Sequence, residues 1–345
     1  MSIYSACEEQ ADECLIYYKE VGTNEYIKGY PMVWQADNKR YAGSIVGLKE
    51  DTEYVVSVYA KKDDLISAKS TNVVKTLSSH VPIASTINIR DIYTPGTYLD
   101  LSGYNGNENG WIAIKGDGNT IIDAGTLYND SVYLKNSSYI ILEDLTIKGG
   151  RINGINLDGT SGKTDVHHII IRNCNISNWG RIGTLTAVAY NNDGSVKEVQ
   201  WVDENGEYIN YDSGIKIRYS SDITVEKCVI HSPRGDSTPW ADTDNGITWT
   251  NSHPVGCNGI FARGERVVIR YNDIVGNTKH MFNDAIESSG NFSKDGGLYK
   301  DCDIYGNMLA FAQDDAIELD GGQQNVRFFN NRIMFSRTGV SIAQN

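Results

Sequence analysis

The tetrapeptide Asp-Ala-Ile-Glu occurs twice, at 284–287 and 315–318, and Asp314 and Asp320 place two further carboxylates around the second copy. Carboxyl groups held about one strand spacing apart, ~5 Å, raise at least one of their pKa values, so one keeps a proton near neutral pH. A general acid needs that state, and stability gains nothing from it. Asp284 and Asp315 are the leading pair for such chemistry, with Asp314, Glu287 and Glu318 as alternates. His280 and Arg234 are candidates to position a substrate, and Lys216, Arg218 and Arg263 supply cations nearby. Glu287, Glu318 and Asp320 are also hard oxygen ligands of the kind Ca²⁺ takes. The structural alternative has these groups capping turns or paired to the neighbouring Lys and Arg. Capping accounts for Asp314 more readily than for four stacked carboxylates.

These residues stack only if successive copies of the motif lie on successive strands. One strand recurs along the chain as EDLTI ending at Ile147, RNCNI at Ile176, EKCVI at Ile230, RYNDI at Ile274, KDCDI at Ile304 and FNNRI at Ile333. The position two before each isoleucine reads Leu145, Cys174, Cys228, Asn272, Cys302 and Asn331, side chains of a size to stack inward. A second strand follows each of the first: GINL at 154, GIKI at 214, GIFA at 259, DAIE at 284 and 315, and GVSI at 339. Strands recurring once per repeat without helical crossovers predict the coils of a parallel β-helix. From second strand to next isoleucine the spacing is steady. The return interval varies widely, from 147 to 155 in one coil and 176 to 215 in another, which predicts that the large insertions leave from one turn.

Alternation along the second strand points the residue after each inward isoleucine outward. This predicts one outer column of Asn156, Lys216, Phe261, Glu287, Glu318 and Ser341, and a second of Asp158, Arg218, Arg263, Ser289, Asp320 and Ala343. Insertions rising beside this face would wall a groove with Trp201, Tyr208, Tyr211, Trp240 and Trp249, above Trp179 at its base. Aromatic faces suit sugar rings, although packing that pins the loops explains each one equally well.

The repeat over residues 86–345 resembles the pectate lyase-like superfamily of right-handed β-helices. HSPRGD at 231–236, FND at 282–284 and DDAIELDGGQQNVRFFNNRI at 314–333 are similar to segments of bacterial β-helix proteins of polysaccharide breakdown. Asn-Asp followed one coil later by Asp-Asp also resembles the acid motifs of polygalacturonase-type glycoside hydrolases. The next coil, SRTGVSIA, lacks their Gly-His-Gly, and no Arg-Ile-Lys element is evident. The resemblance implies a polysaccharide partner and three readings. The first is a glycoside hydrolase with no cofactor, in which one carboxylic acid protonates the leaving oxygen and another carboxylate activates water or attacks the sugar. The second is a polysaccharide lyase with Ca²⁺ on Glu287, Glu318 and Asp320 and Lys216 or Arg218 as base. The third is a noncatalytic glycan-binding or surface-fibre protein.

Upstream, CLIYYKEV, YAGSIVGL, EYVVSVYAKK and NVVKTL alternate in the manner of a half-buried antiparallel sandwich. Residues 47–77 resemble the second half of a fibronectin type III domain, with Tyr54 at the tyrosine corner. The expected division is 1–79 for this module and 80–345 for the β-helix, with Pro82 in the junction and the last strand, SIAQN, ending without a visible cap. The 345 residues carry a net charge of −13, which argues against nucleic acid or an anionic membrane as partner. No apolar run approaches a membrane span. The composition and resemblance together predict a secreted or cell-surface protein whose signal lies outside this sequence. The six cysteines show no zinc spacing, and Cys7 and Cys14 are either a local disulfide or two free thiols.

Overall fold

The computed structural model describes residues 1–238, 240, 254–293 and 295–342. Trp249 and Ala343 lie outside the described residues. The chain forms two compact units, Met1–Val81 and Pro82–Asn345.

In the first unit, strands Ser2–Ala6, Arg40–Ser44 and Val33–Gln35 pair antiparallel in that order. Glu13–Glu20 and Glu53–Lys62 form the centre of a second antiparallel sheet, flanked by Ile27–Lys28 on one side and by Leu65–Ile66 and Ser70–Lys75 on the other. The period-two pattern sends Cys14, Ile16, Val56 and Val58 to one face, where they meet Tyr41 and Ile45 in a single core. The Tyr54 hydroxyl accepts the Lys49 backbone N–H at 3.0 Å, fixing the turn before Glu53–Lys62. Cys7 and Cys14 are free thiols, and Cys14 meets the Met32 sulfur at 3.5 Å.

The second unit is a parallel β-helix, with twenty-one strands among the described residues in one continuous sheet wound into coils of three short strands. One face, the ladder face, runs Ile121–Asp123, Thr146–Lys148, Asn175–Ser177, Val229–His231 and Asp273–Val275, then through the first residues of Met308–Glu318 and Arg332–Ser341. A second, the outer-column face, begins with Leu99–Asp100, Asp130–Leu134 and Asn153–Asp158. It continues through the first halves of Asp212–Glu226 and Cys257–Glu265, then Ile286–Glu287 and the ends of Met308–Glu318 and Arg332–Ser341. The remaining strands, among them Ser137–Glu143, Val166–Arg172, Val268–Arg270 and Asp303–Tyr305, make the third face. Fully buried isoleucines, leucines and valines from all three faces fill the interior. Stacking equivalent β-branched side chains buries each one between two copies of itself, worth roughly 2–3 kcal/mol apiece.

Before each ladder strand from Thr146–Lys148 onward the chain turns through one left-handed residue: Asp144, Asn173, Lys227, Tyr271, Gly306 and Asn330. This corner corrects the repeat at one coil. Ile304 pairs with Ile269 and Phe328 on the third face, and Leu309 takes the ladder position between Ile274 and Ile333. The column two before the ladder therefore reads Leu145, Cys174, Cys228, Asn272, Asn307 and Asn331, and Cys302 belongs to the third-face core. Within it the asparagines bond as a continuous stack. Asn272 N–H donates to Asn307 Oδ1 and Asn307 N–H to Asn331 Oδ1, each at 3.0 Å, and each Nδ2 also reaches a backbone carbonyl.

With the repeat corrected, the insertions leave from two turns. The long ones, 178–211 and 232–256, precede the outer-column strands, and a shorter loop at 288–298 follows one of them.

Candidate functional site

The acidic motifs sit where the chain turns from the ladder face into the outer-column face. At this corner two successive residues point inward: Ala285 and Ile286 both lie fully buried in the core, as do Ala316 and Ile317. Glycine fills the position of Ala285 on the preceding coil because a Cβ at Gly259 would strike Ile274 and the Ala285 carbonyl. Two inward residues in a row return the flanking ones to the same outer surface. Asp284 therefore converges on Glu287 and Glu318, and Asp315 and Glu318 occupy the equivalent positions one coil on.

Pairing of Ile260 with Ile286 and of Ile286 with Ile317 places Asn258, Asp284 and Asp315 on consecutive rungs. Asp284 N–H donates to Asn258 Oδ1 at 3.2 Å, and Asp315 N–H donates to Asp284 Oδ1 at 2.8 Å. The other Asp284 oxygen accepts Asn283 Nδ2 at 2.7 Å. Both oxygens of Asp284 are thus engaged in holding the corner. Asn258 Nδ2 donates to Glu287 Oε2, and Asn291, from the 288–298 loop, donates to Glu318 Oε1 at 2.6 Å. Glu318 Oε2 and Asn283 Oδ1 are buried with no hydrogen-bond partner among the described residues.

Asp284, Glu287, Asp314, Asp315, Glu318 and Asp320 all retain less than a tenth of their exposure. The largest charge effects on Asp284, Glu287, Asp315 and Glu318 come from other carboxylates, and none of the four is ion-paired to Lys or Arg among the described residues. Burial, then the charges of Glu287, Glu318 and Asp314, lift Asp284 well above the usual carboxylate range. Burial and Glu318 do the same for Glu287. Burial and Asp314 push Asp315 up to about 7, and burial and Asp320 push Glu318 up to about 8. Desolvation with like-charge crowding is the combination that leaves a carboxylic acid protonated at neutral pH.

Two sets of carboxylates bring ligand oxygens within 4.8 Å of one another: Asp284, Glu287 and Glu318, and Asp284, Asp314 and Asp315. The first set, with the unpartnered Glu318 Oε2, has the donor chemistry of a hard cation site. Asp320 belongs to neither set: it accepts Ser341 Oγ at 2.7 Å and acts on Glu318 through its charge.

The candidate substrate-binding residues divide. Lys216 follows Asn156 and precedes Phe261 in the outer column, with Nζ 5.5 Å from the Phe261 ring centre. Burial lowers its pKa. Trp240 donates its indole N–H to Asp314 Oδ1 at 2.8 Å, and the Arg337 guanidinium lies 5.7 Å from its ring. His280 lies upstream with Nδ1 buried and without a partner among the described residues.

The others are placed for structure. Arg234 donates to the Gly180 and Arg151 carbonyls, fastening loops. Arg218 pairs with Asp158 at 3.4 Å, Arg263 reaches Ser289 and the Asp295 carbonyl, and both flank Tyr219. Trp201 closes against Gly183 in the antiparallel hairpin Thr184–Tyr190 and Val196–Val202. Trp179 is fully buried and stacks on Phe282. Beneath the hairpin, Arg181 forks onto Asp212, and Arg151 reaches Asp203 and Glu207.

Asn258 and Asn291 are the site residues that sequence reasoning missed, while Tyr211, expected in the groove wall, stands beside the acids. The Tyr211 ring lies 5.1 Å from Phe261, and burial, together with the charges of Glu287 and Glu318, raises its hydroxyl to about 12. Asn258 had a signal, since CNGI aligns with FNDAI and QDDAI; Asn291, on a loop, had none.

Residues 186–345 match the family described as "right handed beta helix region", which makes the fold all-β with a right-handed parallel β-helix. No curated protein and no solved structure matches the chain. No helix among the described residues is long and apolar enough to cross a membrane.

Proposed function

We propose that the protein is a secreted polysaccharide-degrading glycoside hydrolase whose acid–base pair is Asp315 and Glu318. The crowding of buried, unpaired carboxylates at one corner carries this reading, because it costs stability and provides protonated acids at neutral pH. Asp315, the less raised of the two, takes the ionised role and Glu318 the protonated one. Glu318 then donates its proton to the glycosidic oxygen, and Asp315 activates water or attacks the anomeric carbon. Asp284 acts as a positioning residue, since its oxygens fix the Asp315 backbone and the Asn283 amide. Trp240 orients Asp314 at the margin of the site.

Lys216 favours a second reading, a polysaccharide lyase of the pectate lyase-like type. Its pKa is lowered by burial, so it is a candidate base for a proton α to a uronate carboxyl. Asp284, Glu287 and Glu318 would hold the Ca²⁺ that neutralises that carboxyl. The first unit supports a fibronectin type III-like assignment through its sheet order and the Tyr54–Lys49 corner, and its role is that of a noncatalytic spacer or adhesion module.

Incubating the purified chain with a panel of plant and algal polysaccharides, with and without chelator, tests both readings. New reducing ends without ultraviolet absorbance, unaffected by chelator and lost in Glu318→Gln, are expected. Unsaturated products that disappear in chelator would replace the hydrolase with the lyase. Binding without cleavage, unchanged in Asp315→Asn, would leave a noncatalytic glycan-binding protein.

A further inference from the structure

The outer-column face carries a second feature near its N-terminal end. Tyr98, Tyr128, Asn129, Asp130 and Tyr133 line a cavity of about 240 Å³. The Tyr98 and Tyr128 rings lie 5.2 Å apart and tilted by 43°, and Tyr98 keeps 37% of its surface open to solvent. Hydrogen bonds fix the polar wall. Asp130 accepts Asn153 Nδ2 at 2.7 Å and Asn156 Nδ2 at 3.1 Å, and the Tyr133 hydroxyl donates to Asp158 at 2.8 Å. Beside it, Asn156 Oδ1 is buried with no partner among the described residues. Rigid aromatic faces beside oriented carboxylate and amide groups suit a pyranose, whose C–H face stacks on a ring while its hydroxyls take the hydrogen bonds. The Asp130 carboxylate disfavours an anionic sugar here.

This cavity is in register with the acids. Asp130 pairs with Asn153 and Ser213 with Asn258; the Ser213 N–H donates to Asn153 Oδ1, and Asp284 N–H to Asn258 Oδ1. Five coil steps, through Asn153, Ser213, Asn258 and Asp284, therefore separate Asp130 from Asp315, about 24 Å at a strand spacing of ~4.8 Å. Asn156, Lys216 and Phe261, joined by Tyr211, pave the interval.

We propose that the Tyr98–Tyr128 cavity is a distal subsite for an uncharged pyranose, occupied by a glycan lying along the solenoid axis with its scissile bond at Asp315 and Glu318. A pyranose advances a chain about as far as one coil advances the solenoid, so about five residues separate the subsite from the bond cleaved. The enzyme then binds long chains and cuts internal bonds. This rests on the acids being the cleavage site.

The test compares wild type with Tyr98→Ala/Tyr128→Ala and with Tyr98→Trp, on oligosaccharides from disaccharide to decasaccharide prepared from whichever panel polysaccharide is cleaved. For wild type, kcat/KM should rise at least tenfold once the oligosaccharide is long enough to reach the cavity. The double alanine variant should lose that rise with its melting temperature maintained, and Tyr98→Trp should keep it. Cleavage whose length dependence is the same in the double alanine variant overturns the subsite and leaves the hydrolase reading standing. If no glycan is cleaved, affinity electrophoresis in gels cast with each polysaccharide decides. Retardation lost in the double alanine variant supports the subsite while the hydrolase reading falls; retardation unchanged in that variant, or no retardation of wild type, overturns the subsite.

Discussion

Two polar columns run along this solenoid, one on each side of the ladder face, and they solve the same backbone problem with different side chains. Asn272, Asn307 and Asn331 present amides, so every rung offers both acceptor and donor and carries no charge. The opposite column reads Asp130, Asn153, Ser213 and Asn258, then takes Asp284 and Asp315 on adjacent rungs. A buried carboxylate accepts the same backbone N–H, loses the donor and brings a charge that its neighbours Glu287 and Glu318 repel. The exchange of amide for acid occurs where the long insertions gather, and it weakens the fold there. A column built for stability would have kept its asparagines.

The contrast can be broken from either side. The largest effect is expected at Glu318 and Asp315: Glu318→Gln or Asp315→Asn should lower kcat by about 10²–10⁴-fold on the cleaved glycan with the fold intact. Asn307→Ala should destabilise by about 3 kcal/mol in chemical denaturation, since it strips acceptors from two Asn272 N–H groups and donors from the Ile269 and Tyr305 carbonyls. Asp284→Asn, which restores an amide rung, should instead raise the midpoint, by on the order of 1 kcal/mol, while still slowing catalysis. Tyr54→Phe in the first unit should cost about 1 kcal/mol with no change in turnover.

The pH dependence carries its own sign. Asp315 and Glu318 have folded pKa values raised above their unfolded ones, so the native state binds protons more tightly than the unfolded chain. Their contribution to stability is complete below about pH 4 and is lost as pH rises through about 7 and then about 8. Thermal unfolding scans should show the melting temperature falling across that upper window, and Glu318→Gln should flatten the fall. Turnover needs Asp315 ionised and Glu318 protonated, so kcat/KM should be bell-shaped with limbs near 7 and 8.

Most of the architecture was legible because β-branched residues in register leave an unmistakable period. Ile304 was misplaced for a local reason. Asp301 and Asn173 are both left-handed, each precedes a cysteine, and each leads to a polar residue and an isoleucine, yet they stand at different corners of the coil. The segments are alike because both corners impose the same backbone, and only pairing across coils separates them. The convergence of Asp284 with Glu287 was half legible. Alternation predicts Glu287 outward, but two consecutive inward residues at the corner are a tertiary feature of Ala285 and Ile286. The arginines are legible only in part: a cation beside a groove reads the same whether it meets a ligand or fastens a loop, and Arg234, Arg218 and Arg263 have protein partners.

Carboxyl-detected NMR titration of the isolated protein addresses the acidic column without any substrate. Two side-chain carboxyl signals should titrate near pH 7 and 8, one vanishing in Asp315→Asn and the other in Glu318→Gln. If every aspartate and glutamate signal titrates below about pH 5, the ordinary range for solvated carboxylates, the corner holds no proton at neutral pH and the acid–base assignment is wrong.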